Sequence, residues 1–81
     1  MDQDIVTLRK EIDELDNLIV DTISKRVQLA KRTIERKKEL GLSVYDAERE
    51  ESIIKRLQSR VDASLKDKIA VIYECIMLGK N

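Results

Sequence analysis

The chain has 81 residues, 40% of them charged and 42% hydrophobic, and its 16 basic and 16 acidic residues give a formal net charge of zero. A chain of this length, residues 1–81, forms a single domain at most, and its balanced charge argues against binding to nucleic acid or to an anionic membrane surface. It has no histidine and one cysteine, Cys75, which argues against internal disulfides, histidine-based catalytic triads and most zinc sites, so we expect no metal and no cofactor.

The first predicted element is a long helix over about residues 4–40. Its mainly apolar stripe advances largely by alternating threes and fours, through Ile5, Leu8, Ile12, Leu15 and Ile19 and then Thr22, Arg26, Leu29, Thr33 and Leu40. At 1.5 Å per residue this helix is about 55 Å long, which exceeds the diameter of a compact domain of this size. The apolar stripe therefore needs a partner surface, and we predict a two-fold homodimer.

Two shorter helices are predicted after the long one. Gly41 is a residue that ends a helix at low cost, and Asp46 is a good N-cap for a second helix that runs to about residue 60. Ser64 and Asp67 have the spacing of a capping box, which predicts a third helix from there nearly to the C terminus. The composition is typical of helical bundles, and strands have almost no support. The predicted fold class is all-α, with one long helix plus two shorter helices.

No apolar run approaches the roughly 20 residues that a bilayer span requires. The N terminus also lacks the pattern of a signal sequence. We therefore predict a cytoplasmic protein without a membrane association.

Several charged residues occupy helix positions that the spacing assigns to the apolar stripe or its edge. They are Arg26 within the stripe, Arg9 and Lys37 at its edge, and Arg49 and Glu50 at the start of the second apolar face. Any single one of these cations can be explained as a residue at the edge of the stripe, with its aliphatic part packed on the core and its charge in water. A second explanation is that the cations form structural ion pairs with Asp13, Asp16, Glu48 or Glu50. Taken together, the clustered cations favour a pocket for a small molecule that bears more than one carboxylate.

Three segments resemble, without a gap, the all-helical type II class of chorismate mutase. They are LRKEIDELDNLIVDTISKR from Leu8 to Arg26, KRTIERKK from Lys31 to Lys38, and VYDAEREESIIKRL from Val44 to Leu57. The resemblance covers nearly the whole chain. It implies an intertwined helical homodimer with two equivalent sites, each completed by an arginine from the other chain.

The resemblance also implies a role for each candidate residue. Arg9 matches the arginine contributed across the dimer, and Arg26 matches the arginine that binds a substrate carboxylate within the same chain. Lys37 resembles the lysine that donates to the ether oxygen and to a carboxylate. The residues that match the helix-start segment holding the ring hydroxyl are Asp46, Arg49 and Glu50.

The implied reaction is the Claisen rearrangement of chorismate to prephenate, an isomerase step that feeds phenylalanine and tyrosine synthesis. The sequence departs from the family pattern at its end. Family members commonly carry a late glutamine in the third helix as a second donor to the ether oxygen, whereas this chain ends at Asn81. Either Lys80 or Asn81 substitutes for it, or the contact is missing, or the chain is part of a longer or fused protein.

Two further functions are compatible with the same residues. A related fold with similar cations eliminates pyruvate from isochorismate, and product analysis separates that lyase from a mutase. A non-catalytic regulatory dimer that binds chorismate or prephenate is the other. Ligand binding could survive on Arg9 and Arg26 alone, whereas mutase catalysis requires Lys37. A plain coiled-coil module is disfavoured by Arg26 in the stripe.

Overall fold

A computed structural model describes residues 2–77 of the chain. It contains α1 over Gln3–Glu39, α2 over Ala47–Gln58 and α3 over Lys66–Met77, with a 3₁₀ turn at Ala63–Leu65 before α3. No strand is present within the described residues. The predicted all-α class, with one long and two shorter helices, is confirmed.

Helix α1 determines the elongated shape of the molecule. It contains 37 residues, and its N terminus is capped by Asp2, whose carboxylate accepts the backbone N–H of Asp4 at 2.8 Å. The longest dimension of the chain is 58 Å, and the Cα radius of gyration is 16.6 Å. A compact domain of this length would have a radius of gyration of about 12 Å. The N-terminal half of α1 therefore extends beyond the other helices.

Helix α1 ends at Glu39, and Gly41 terminates it, as predicted, through a Schellman motif. The backbone N–H of Leu42 donates to the carbonyl of Lys37 at 2.8 Å, and that of Gly41 donates to Lys38 at 3.1 Å. Gly41 has φ +70°, in the left-handed region where a Cβ atom is disfavoured. These two bonds satisfy carbonyls that the end of α1 would otherwise leave unpaired.

We expect Gly41→Ala to lower the free energy of unfolding by about 1 kcal/mol, because alanine is strained at this φ. A Cβ at this position would meet no atom within 4 Å, so the cost is backbone strain and not a clash. Urea unfolding of Gly41→Ala beside Gly41→Asn measures it. Since asparagine tolerates the left-handed region, Gly41→Asn should lose less. Equal losses in the two variants would contradict this explanation.

Helix α2 begins at the predicted cap. The Oδ1 atom of Asp46 accepts the backbone N–H of Arg49 at 3.0 Å. The capping box predicted at Ser64 and Asp67 is wrong, because Ser64 lies inside the 3₁₀ turn. There the backbone N–H of Leu65 donates to the carbonyl of Asp62 at 2.9 Å. A main-chain hydrogen bond of the 3₁₀ turn is therefore found before α3, where the sequence motif predicted a cap by a serine side chain.

The core of the single chain is small. Among the described residues, the buried side chains are Ile53 of α2 and Met77 of α3, at 1% and 2% exposure. By contrast, the N-terminal stripe of α1 is 44–57% exposed, and its members are Ile5, Leu8, Ile12, Leu15 and Ile19. One chain alone leaves this stripe in contact with water. Within residues 2–77, no helix is both long and apolar enough to cross a membrane.

Candidate active site

Two of the predicted arginines border one cavity between α1 and α2. The cavity has a volume of about 160 Å³, and the residues that line it are Arg26, Leu29, Ala30, Thr33 and Arg49. Arg26 and Thr33 are two helical turns apart on α1, whereas Arg49 lies in the first turn of α2. The Asp46 cap fixes the conformation of the turn that carries Arg49.

Arg26 is half-buried, as its position in the apolar stripe predicts. Its Cζ atom lies 5.7 Å from the centroid of the Tyr73 ring on α3. A guanidinium at this distance from an aromatic face is attracted to the ring. Arg26 thus contacts α3 and borders the cavity that it shares with Arg49.

Lys37 is half-buried and lies near the end of α1. Its Nζ atom donates to the carbonyl oxygen of Val44 at 3.4 Å. It lines an open groove of about 730 Å³ along α1, and Leu29 and Thr33 line both this groove and the smaller cavity. The lysine and the two arginines therefore border adjoining spaces on one side of α1.

Asp46 and Glu50 are adjacent to this region but do not line either space. The carboxylate of Asp46 is engaged by the backbone N–H of Arg49, and its carbonyl accepts the N–H of Glu50 at 3.2 Å. Glu50 is half-buried. The structure thus places both residues at the start of α2 without bringing their side chains to the cavity wall.

Arg9 is exposed on the N-terminal half of α1. It precedes Arg26 by 17 residues on the same helix, which corresponds to roughly 26 Å along the axis. No single chain can bring these two guanidinium groups to one small ligand. The third-helix positions Lys80 and Asn81 lie outside the described residues.

Sequence reasoning did not assign Tyr73 and Thr33 to the site. Thr33 follows Arg26 by one heptad, so its place on the same face was available from the spacing. Tyr73 is one of the two tyrosines of the chain and is half-buried on α3. No sequence signal identifies Arg26 as its neighbour, because the two residues meet across different helices.

The ion pair of Glu51 and Lys55 on α2 lines neither of these spaces. A hydrogen bond from Lys55 at 2.8 Å, together with its positive charge, lowers the pKa of Glu51, and the same pair raises the pKa of Lys55. Both groups are exposed on α2, so the pair adds little stability. In residues 2–77, no group of three or more acidic or thiol side chains is arranged to hold a metal ion.

Comparison with known proteins identifies the family of the chain. The family model described as chorismate mutase type II matches residues 8–78. A curated chorismate mutase of Methanocaldococcus jannaschii is 41% identical over 58 residues, which cover 72% of this chain and 59% of that relative. The chain thus spans about three-fifths of the length of this relative. No solved structure gives a significant match. By the extent of the family match, this chain belongs to the type II chorismate mutase family.

Proposed function

We propose that this chain is a chorismate mutase, an isomerase that rearranges chorismate to prephenate in phenylalanine and tyrosine biosynthesis. The observation that carries the proposal is the pair of arginines, Arg26 and Arg49, at one cavity, with Lys37 on the adjoining groove. Chorismate is a dicarboxylate, and guanidinium groups bind carboxylates through paired, planar hydrogen bonds. Family membership and the matching relative support the same reaction.

The rearrangement is pericyclic, so it requires neither a nucleophile nor a proton transfer. Its barrier is lowered first by holding the dicarboxylate in the reactive diaxial shape, which is the role we assign to Arg26. As the carbon–oxygen bond breaks, the ether oxygen becomes more negative. Lys37 donates to that oxygen, and it stabilises the transition state more than the substrate because the oxygen charge is greater there.

We assign the remaining contacts to the start of α2. Glu50 accepts a hydrogen bond from the ring hydroxyl, together with the backbone at Asp46, and Arg49 adds positive charge at the cavity it lines. The fixed Asp46 cap supports these roles, since it defines the position of the first turn of α2. Ligand binding would have to bring the half-buried carboxylate of Glu50 to the cavity.

We propose that Arg9 reaches the site from a second copy of the chain. In this arrangement two α1 helices pair antiparallel, and the partner's Arg9 lies beside Arg26. The two-fold axis then passes midway between positions 9 and 26 of the helix. The side chains near that point are Leu15, Leu18 and Ile19, and they are 54–62% exposed in the single chain. Covering them contributes roughly 1.5–3 kcal/mol for each fully buried side chain.

We place the enzyme in the cytoplasm. Its single cysteine, Cys75, is exposed and unpaired, and free exposed thiols persist in reducing compartments. The comparisons favour neither the isochorismate lyase nor the regulatory dimer.

The test is the loss of chorismate absorbance on addition of the protein, with the product identified by chromatography and Arg26→Ala measured alongside. We expect prephenate from the wild type and little or none from the variant. Pyruvate as the product would establish the lyase instead. Unchanged chorismate with a folded, helical protein would overturn the mutase proposal. Sedimentation equilibrium should give twice the 9.4 kDa chain mass, and a monomer would overturn the two-chain site.

A further inference from the structure

The contact between Arg26 and Tyr73 joins two helices at the cavity. The Cζ atom of Arg26 on α1 lies 5.7 Å from the centroid of the Tyr73 ring on α3. This separation is within the range of about 6 Å over which an aromatic face attracts a cation. Both side chains are half-buried, so water screens the attraction less than it would at a free surface.

The position of the Tyr73 ring is set by the packing of α3. Tyr73 lies one helical turn before Met77, and residues four apart share a helix face. Met77 is 2% exposed, and α3 packs against α2, which carries the buried Ile53. The ring is thus anchored through the small core of the chain.

The ring contact does not use all the hydrogen-bond donors of Arg26. The guanidinium has five N–H donors, and a single aromatic ring engages only part of the group. A long arginine side chain loses rotamer entropy when it is fixed by a ligand. A ring that already restricts the guanidinium reduces that loss when a carboxylate binds.

We propose that Tyr73 is a positioning residue of Arg26, and that its ring helps to hold the guanidinium at the cavity before the substrate carboxylate arrives. This inference rests on the proposed function for the identity of the ligand. It differs from the role of a core aromatic residue, because it assigns to the ring a direct effect on substrate affinity.

The test compares Tyr73→Leu, Tyr73→Phe and Tyr45→Leu with the wild type. Tyr73→Leu removes the ring, and we expect KM for chorismate to rise about three- to thirtyfold with little change in kcat. Tyr73→Phe retains the aromatic face and should restore most of the affinity. Tyr45, the other tyrosine of the chain, is 61% exposed in the loop, and Tyr45→Leu should leave KM unchanged.

A second readout does not depend on turnover. In an NMR spectrum, the Arg26 Nε–H resonance, assigned by its loss in Arg26→Lys, should carry a ring-current shift that Tyr73→Phe keeps and Tyr73→Leu removes. A missing shift in the wild type, or an unchanged KM in a folded Tyr73→Leu, would overturn the proposal. If Tyr73 had a purely structural role, Tyr73→Leu would lower the free energy of unfolding and leave KM of the folded fraction unchanged. An inactive wild type would overturn the proposed function, and the resonance shift would still decide whether Tyr73 positions Arg26.

Discussion

Replacing Lys37 with alanine should lower kcat for chorismate by roughly 100- to 1000-fold, a loss of about 3–4 kcal/mol of transition-state stabilisation. The ammonium of Lys37 is the donor that we assign to the ether oxygen, and its charge is most effective when that oxygen becomes negative. Since the donor acts mainly in the transition state, KM should change less than kcat. Steady-state kinetics with chromatographic detection of prephenate measures both.

The matched control for this variant is Lys38→Ala. Both lysines lie in the last turn of α1, so each substitution removes one positive charge from the same helix end. Lys38 is exposed and borders a different groove, between α1 and α3. Lys38→Ala should therefore retain close to wild-type kcat. A comparable loss in both variants would assign the effect to the charge of the helix end and not to a contact with substrate.

Mixing two inactive variants, Arg9→Ala and Arg26→Ala, should restore activity. If each site takes Arg26 from one chain and Arg9 from its partner, a mixed dimer contains one site with both arginines and one site with neither. With random exchange of subunits, about half of the dimers are mixed, so the mixture should recover roughly one quarter of the wild-type rate. The measurement is prephenate formation after the two chains are unfolded together in urea and refolded.

A mixture of Arg26→Ala and Lys37→Ala is the control for this experiment. Both residues are assigned to the same chain's part of the site, so every site in the mixed dimer lacks one of them. This mixture should remain as inactive as its components. Recovery in the control, or no recovery in the Arg9→Ala mixture despite dimer formation, would contradict the contribution of Arg9 across the interface.

Local sequence signals predicted most of the helix boundaries. Gly41 and Asp46 each satisfy backbone groups within a few residues of themselves, so their roles follow from residue type and position. The start of α3 was predicted wrongly at Ser64, because a serine cap and a 3₁₀ entry both satisfy the first N–H groups. The short motif does not distinguish these two solutions.

The candidate site was predictable to the extent that its residues violate a local pattern. Arg26 interrupts an apolar stripe, and its half-burial and its position on the cavity agree with that signal. The neighbours of Arg26 depend on how α2 and α3 pack against α1, which periodicity within one helix does not specify. For this reason the contact of Tyr73 with the guanidinium became evident only in the folded chain.

Lys37 is held by the loop that follows it at two points. Its carbonyl accepts the N–H of Leu42, and its ammonium donates to the carbonyl of Val44. A bound ligand would therefore replace the Val44 carbonyl as the oxygen partner of the ammonium. Since that partner has already displaced part of the hydration shell, less water would have to be removed on binding. The Val44 bond is long at 3.4 Å, which makes it a weak competitor. In the proposed site, the Val44 carbonyl occupies the ammonium until the substrate replaces it, and this role constrains the length of the loop more than its side chains.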